Sequence, residues 1–546
     1  MKRLATVLFF FAFAASIGMA GEALNGASLT PKVTRVIKFA QTPPLRSMRL
    51  VPPREDLFFG LQFREPGEVP PANGYHGGGA GLQTDIIEPT IPNPIANFEG
   101  PSNTDNLSIF GFQVSPPDPV GDVGRRQYLA MVNLTFAVYN KRTGALQFGP
   151  ADIGTLWQGF LDDCTDASGD PIVFYDQLAN RWVLTQFTTR GPEYFNCMAV
   201  SQTQDALGAY NLYAFSTGAN FPDYPKYGMW PNSYTITTRE FDPANNESIG
   251  VYAVNRQEIL QGNPSPRVVS FQLSSPTYLV GDGLLAADFD GKTLPPTGSP
   301  QAVVGTMDDG FTDGAPFDGL NIFQLRVSWA NPQSSTFKLL TQIPIDNFDT
   351  IYPCSPDGSR NCIPQPGTTR RIDHLGYRQR PSWRLQYRNF GDHESLVTNQ
   401  SVEALPGISG MRWWEIRNPR NPVLFQDGTW SPNDGVNRWM GSIAMDKQGN
   451  MAEGYSVSNA STVFPGIRYA GRLVTDPVNQ FSQGEAVLQA GSGSQLDSGS
   501  RWGDYTSMNV DPVDDCTFYY INEYYSATSN LGWRTRIGAF RYPGCQ

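Results

Sequence analysis

Charge is scarce in this chain. Only 17% of its 546 residues are Asp, Glu, Lys or Arg, against about 25% in an average protein. That excludes a coiled coil and a highly charged disordered chain. Cations are the rarer sign, with 40 Lys+Arg facing 51 Asp+Glu, so nucleic-acid binding by bulk charge is excluded too. Histidine is limited to His76, His374 and His393, which lack ligand spacing, and no CxxC occurs, so a zinc centre finds no support. No GxGxxG leads a strand into a helix, no P-loop is present, and no Gly-x-Ser-x-Gly stands in strand-turn-helix context. Beyond the first 20 residues no apolar run approaches the ~20 residues that span a membrane.

Turn formers and aromatics are abundant: 54 Gly, 44 Pro, 33 Phe, 23 Tyr and 11 Trp. This composition fits a large, turn-rich, all-β protein. Residues 1–20 read as a signal peptide. Lys2 and Arg3 precede the apolar run Leu4 to Ile17, and Gly18-Met19-Ala20 offers a small-residue cleavage site. The mature chain is therefore expected to be secreted, to the periplasm, the cell surface or beyond. Six cysteines suit that oxidising setting. They allow 15 pairings, of which the neighbour set Cys164–Cys197, Cys354–Cys362 and Cys516–Cys545 is favoured, because each loop then stays within one unit.

Residues 21–106 carry many prolines and the run Gly77-Gly78-Gly79, and read as an extended N-terminal arm. Within it, Val33 to Phe39 reads as one strand, and Leu57, Phe58, Phe59 and Phe63 as packing residues. Residues 107–546 repeat a looser theme. Openings at Gly121-Asp122, Gly169-Asp170, Asp223-Tyr224-Pro225, Gly281-Asp282, Arg380-Pro381, Arg438-Trp439 and Arg501-Trp502 recur every ~48–62 residues, apart from one interval of about 98. Each opening is followed by short β-branched and aromatic strands, as in PIVFYD, RWVLTQF, FNCMAVS and YNLYAFS (171–216). Four strands per unit, seven times over, predict a seven-bladed β-propeller of four-stranded antiparallel blades. The long interval predicts an insertion at about 346–380. The last unit shows three clear strands, so its fourth is expected from 107–114 (LSIFGFQV), closing the ring.

The stretches GDPIVFYDQLANRWVLTQF, RNFGDHESLVTNQSV, RWMGSIAMDKQGNMAEGYSVS, GIRYAGRL and SRWGDYTSMNVDPVDDCTFYYINEYY resemble a widespread group of secreted bacterial β-propeller proteins, loosely sialidase-like or BNR-repeat-like. The resemblance covers roughly 115–546 and implies the propeller fold, without implying a reaction. The sialidase box S-x-D-x-G-x-T-W is approached only at Ser431-Pro432-Asn433-Asp434-Gly435…Trp439, with an extra residue and no Thr.

In a propeller the blade openings converge on the central channel, so Asp122, Asp170, Asp223, Asp282, Arg438, Arg501 and Asp504 form the pool for a site. Paired carboxylates there suit general acid–base work on a glycosidic bond, and Asp170, Asp223 and Asp504 are the candidate catalytic residues. Arg438 and Arg501 are candidates for holding an acidic sugar. Trp439, Trp502 and Tyr505 are candidates for stacking on sugar rings. Capping of turns is the competing role for any one Asp. Asp392-His393-Glu394 is expected to be a hairpin turn, since neighbours on a strand diverge. Calcium is the one cofactor expected, at Asp288-Phe289-Asp290-Gly291 or at Asp308-Asp309-Gly310…Asp313-Gly314…Asp318-Gly319. Two functions follow: a glycoside hydrolase or lyase acting on extracellular polysaccharide, or a non-catalytic propeller that binds glycans or surfaces.

Overall fold

The computed structural model describes residues 28–51, 79, 81–160, 163–310, 314–350, 361–374 and 380–545. Seven four-stranded antiparallel units follow one another along the chain. Their first strands are Val120–Val123, Ile172–Asp176, Phe221–Trp230, Leu285–Asp290, Ser382–Asn389, Asn437–Met445 and Ser507–Val510. Each first strand packs beside the next, and the seventh packs against the first, so the units are blades of a closed seven-bladed β-propeller. These strands line the axis, and their open edges carry N–H groups that need partners. Side chains of neighbouring blades supply them. Asp122 accepts from the Tyr175 N–H at 2.6 Å, Asp288 from Met229 at 2.9 Å, Gln386 from Met445 at 2.6 Å, Ser442 from Met508 at 2.9 Å and Ser507 from Gly121 at 2.9 Å. Between blades 4 and 5 the first strands pair directly, in parallel. Where blades 3 and 4 meet, Gly228 lets the strands touch: a Cβ there would lie 2.5 Å from the Ala286 carbonyl oxygen.

The seventh blade is closed by Ala96–Ser102, which pairs with Trp533–Phe540. The expected closing strand, 107–114, lies outside that sheet, and Asn103–Phe110 is a helix. Ser102 and Asp105 form a capping box at its start, and Gly111, at φ 79°, ends it. Those local signals outweigh the apolar run Leu107 to Val114. Pro101 sits in the closing strand because that strand is outermost and has only one neighbour.

The N-terminal arm is a belt. Leu29 donates to Phe337 of blade 4, Lys32–Arg35 adds to blade 3, and Lys38–Gln41 adds to blade 2. Val51 reaches Thr155, just beyond blade 1. Later, Leu82–Gln83 runs beside blade 5, and Thr90 and Ile91 bond to Gln483, just before the outer strand of blade 6. The strand expected at Val33 to Phe39 is thus two strands, broken at Val36-Ile37 where the chain passes from one blade to the next. The belt covers outer edges that would otherwise template unwanted pairing. Leu57, Phe58, Phe59 and Phe63 lie outside the described residues.

Two of the expected disulfides are present, Cys164–Cys197 and Cys516–Cys545, with Cα separations of 5.8 and 5.7 Å. Cys354 lies outside the described residues, as do residues 1–27 and His76, and buried Cys362 packs in the core. Among the described residues no helix is long and apolar enough to cross a membrane.

Candidate functional site

At one end of the axis several residues hold the left-handed backbone region: Asp118 at φ 49°, Asp170 at 47° and Asp504 at 70° just before their first strands, and Tyr224 at 51° and Met440 at 58° inside theirs. A bulky side chain pays strain for that conformation, and such strain gathers where geometry is over-determined. Asp118, Asp170, Tyr224 and Asp504 turn toward one cluster. Tyr505 donates its hydroxyl to Asp170, and the Tyr224 N–H donates to the same carboxylate oxygen at 3.2 Å. The Asn133 side chain accepts from the Asp170 N–H at 3.0 Å. Lys226 is buried, its ammonium 3.3 Å from the Tyr224 ring centre and 3.4 Å from that of Tyr505. The Arg380 guanidinium lies 3.4 Å from the other ring contact, the Tyr224 centre. Arg501 pairs with Asp504 and lies 3.3 Å from Asp373.

The electrostatics follow from crowding in a dry space. Burial first, then the charge of Asp223, pushes the Asp170 carboxyl up to about 7, against the pull of Tyr505 and Lys226. Burial, then Asp504 and Asp170, holds Asp118 well above the usual carboxylate range. Burial drives Lys226 well below the usual lysine value, against the attraction of Asp170.

Beside this cluster a pocket opens between blades 1, 2 and 3. It is lined by Asp170 and Asp223, by polar Ser115, Asn133 and Thr189, and by an apolar wall that includes Leu134, Phe187 and Phe221. The expected catalytic residues Asp170 and Asp223 therefore share a pocket. Asp504 stands behind it, coupled to Asp170 and Asp118 by charge.

Other expected site residues are elsewhere. Arg438 is buried in blade 6, bonded to Glu485 at 2.6 Å and Asp434 at 2.8 Å, and is not free to hold a substrate. Trp439 and Trp502 are fully buried, with ring centres 5.7 Å apart, and Trp502 donates to Ser456. Neither presents a face for stacking. Tyr505 is fully buried; its hydroxyl meets Asp170, and its ring packs against Lys226 and Tyr224, so it offers no face for a sugar. Arg501 is occupied by Asp504 and Asp373. Asp122 is not a blade-opening residue. It lies inside its strand, where burial pushes it up to about 8, and Asp118 holds the opening position.

Residues 361–374 of the insertion lie at this end of the axis. Its strands Asn361–Ile363 and Ile372–Asp373 pair, and they reach blades 6 and 7 through Gln365 to Gln495 and Asp373 to Ser500, both at 2.9 Å. This brings Asp373 onto Arg501 and buries His374, which burial pushes down to about 4. Asp118, Lys226 and Asp373 are not among the residues expected from the sequence, and Tyr224 and Arg380 figure there only as repeat openings, not as site residues. The signal was available for three of them, in Pro117-Asp118-Pro119 and Tyr224-Pro225-Lys226, which stand at the same place in the repeat as Gly169-Asp170.

The calcium expectation at Asp288 and Asp290 is overturned by Arg384, which bonds each at 2.8 Å. Asp308, Asp309 and Asp318 do come together. Asp308 and Asp318, however, already accept backbone N–H bonds from Gly310, Thr350, Asp309 and Phe348 at 2.6–2.8 Å, which is turn-capping work. Asp392 and His393 form an exposed pair in the turn between Ser382–Asn389 and Glu394–Leu405, while Glu394 is buried against Tyr387. The segment is a hairpin turn as expected, with Glu394 pointing away from the other two, which pair with each other.

Neither a family model nor a curated relative matches the sequence. Solved structures do. An α-L-arabinofuranosidase from Fusarium graminearum is 7% identical with a TM-score of 0.34, covering 83% of this chain and 99% of its own. The polysaccharide lyase Uly1 is 10% identical at 0.33, covering 84% and 99%. The SapL1 lectin is 10% identical at 0.34, covering 69% and 96%. Scores this low bear on neither reaction nor ligand.

Proposed function

We propose that the protein is a secreted, carbohydrate-active propeller that hydrolyses glycosidic bonds in an extracellular polysaccharide. One observation carries this reading: Asp170, held near 7, shares a pocket with a second carboxylate, Asp223. A carboxyl that keeps its proton near neutrality can protonate a leaving glycosidic oxygen. Its partner across the bond then activates water or attacks the anomeric carbon. Asn133, Tyr224 and Tyr505 fix the acid from three sides. Asp504 acts at one remove, by keeping negative charge beside Asp170 and by holding Arg501. The leader-like N-terminus and the two disulfides support secretion. The burial of Trp439 and Trp502 counts against a broad aromatic binding face.

The test is incubation of the mature chain, residues 21–546, with plant, algal and bacterial polysaccharides, scored by new reducing ends. Product that vanishes in Asp170→Asn and Asp223→Asn supports the reading. Retention on a polymer without product would replace it with a glycan-binding module.

A further inference from the structure

The end of the axis away from Asp170 gathers cations. The first strand of blade 1, Val120–Val123, runs from Asp118 to the turn Gly124-Arg125-Arg126, so that turn lies at the far end. Strands alternate in direction, so the turn joining Thr135–Asn140 to Leu146–Asp152 lies at that end too, as does the connection 202–209 of blade 2. Between them opens a pocket of about 320 Å³, the size of a small-molecule site. Three guanidiniums line it, those of Arg46, Arg125 and Arg126, with one carboxylate, Asp205. Asp205 is committed: it pairs with Arg46 and accepts from the Gln127 side chain and the Leu207 N–H, both at 3.0 Å. Arg125 and Arg126 are exposed and find no other carboxylate among the described residues of this wall. Adjacent like charges repel, and an oxyanion that accepts from both relieves the repulsion.

The rest of the wall narrows what carries that oxyanion. Gln127, Asn140, Gln147 and Gln204 present amides, and Leu207 is the one apolar side chain beside them. Gln127 is buried and fixed, donating to Gln147 at 3.1 Å and accepting from the Ala206 N–H at 2.9 Å. Amides both donate and accept, as sugar hydroxyls do. We propose that this pocket binds a carboxylate- or sulfate-bearing sugar unit and so anchors an acidic polysaccharide on the face opposite Asp170. The choice of a sugar rests on the carbohydrate reading above. The oxyanion rests on the arginines alone.

The experiment is calorimetric titration of the mature chain with trigalacturonate, a sulfated galactan oligosaccharide, neutral galactotriose and inorganic sulfate. At least one acidic oligosaccharide should bind, more weakly as salt is added. The double change Arg125→Gln and Arg126→Gln should raise its Kd at least about tenfold, and each single change less, in the same direction. Arg35→Gln with Arg326→Gln removes the same charge from exposed positions outside the pocket and should leave Kd within about twofold. Thermal melts of both doubles separate lost binding from misfolding. Affinity kept in Asp170→Asn separates this pocket from the one beside Asp170. No loss in the pocket variant, or an equal loss in the control, overturns the proposal. So does binding of inorganic sulfate with neither acidic oligosaccharide, which leaves a small-anion site, and so does no binding at all. Binding without product on any polysaccharide upholds this pocket and removes the hydrolase reading. Product without acidic binding does the reverse.

Discussion

Two clusters of aspartates sit along one axis, one just before three of the first strands and one within a first strand, and they are built on different terms. At the entrance, Asp118, Asp170 and Asp504 crowd together on left-handed backbone, and the nearby Lys226 is turned into a ring cage. Deeper, Asp288 and Asp290 divide one guanidinium, Arg384, which is 2% exposed. Asp288 also ties blade 4 to blade 3 through Met229. Against the effect of burial, Arg384 pulls Asp290 below the usual carboxylate range, while burial still lifts its neighbour Asp288 to about 6; at the entrance, burial and like charge raise both Asp170 and Asp118. One cluster neutralises its charges and spends its acceptors on backbone. The other keeps repulsion and strain in place. In a fold that repeats the same unit seven times, this departure from local compensation is what the proposed reading takes as the mark of a reactive site.

Exchanging one atom type in each cluster tests that contrast most severely. On the proposed reading, Asp170→Asn removes the acid and lowers turnover by about 10²–10⁴-fold, with a change in folding stability under about 1 kcal/mol. Turnover and a urea melt on the same sample check both halves. A stability loss without a turnover loss would break the comparison. Arg384→Met should do the reverse. It strands Asp288 and Asp290 in a dry interior, at about 3–5 kcal/mol, measured as a lower denaturation midpoint. The triple change with Asp288→Asn and Asp290→Asn should recover much of that loss, because the uncompensated charges go with the cation.

The propeller was legible because its signal is periodic. Strand-forming runs with turn residues between them recur often enough for the blade count to survive errors in any one blade. The closing strand was misplaced because two local signals competed. LSIFGFQV has strand composition, but Ser102 and Asp105 cap a helix that begins before it, and Gly100-Pro101 disguises the true strand as a loop. The belt was legible as extended chain but not as a belt, since a strand added to an outer edge needs only its backbone. Asp170 and Asp223, which line one pocket, were singled out by their position in the repeat. Arg438, Trp439 and Trp502 were misassigned because an Arg-Trp pair that opens a strand looks the same in sequence whether it faces the axis or the next blade. Burial separates the two, and burial is set by residues far away in the chain, such as Glu485 for Arg438 and Ser456 for Trp502.

A third buried network, in blade 6, extends the compensated side of the comparison and gives it a pH signature. Despite burial, Arg438 and Arg468 hold Glu485 down at about 2. A carboxyl lowered on folding stabilises the native state above its unfolded value, near 4.5, and that contribution is lost as pH falls through about 2. The loss is about 3 kcal/mol. Asp170, raised to about 7, has the opposite sign: its contribution favours folding below about 4 and fades as pH rises through 7. Denaturation midpoints between pH 2 and 5 should therefore climb steeply in the native chain and more shallowly in Glu485→Gln. Equal slopes would remove blade 6 from the compensated group.

The smallest effect is the sharpest probe of the entrance. Tyr505→Phe deletes one hydroxyl that stabilises the charged form of Asp170, at a cost of about 1 kcal/mol. Asp170 also faces Asp223, Asp118, Asp504 and Lys226, and none of these changes. Its carboxyl should thus keep its proton to higher pH. If Asp170 is the acid, the alkaline limb of the pH–rate profile moves upward by up to about one unit, in the direction that loss of this bond requires. A limb that stays in place while turnover falls would mean that Tyr505 holds the shape of the pocket and that another group delivers the proton. A limb that moves upward, and that disappears in Asp170→Asn, would tie the proton to Asp170.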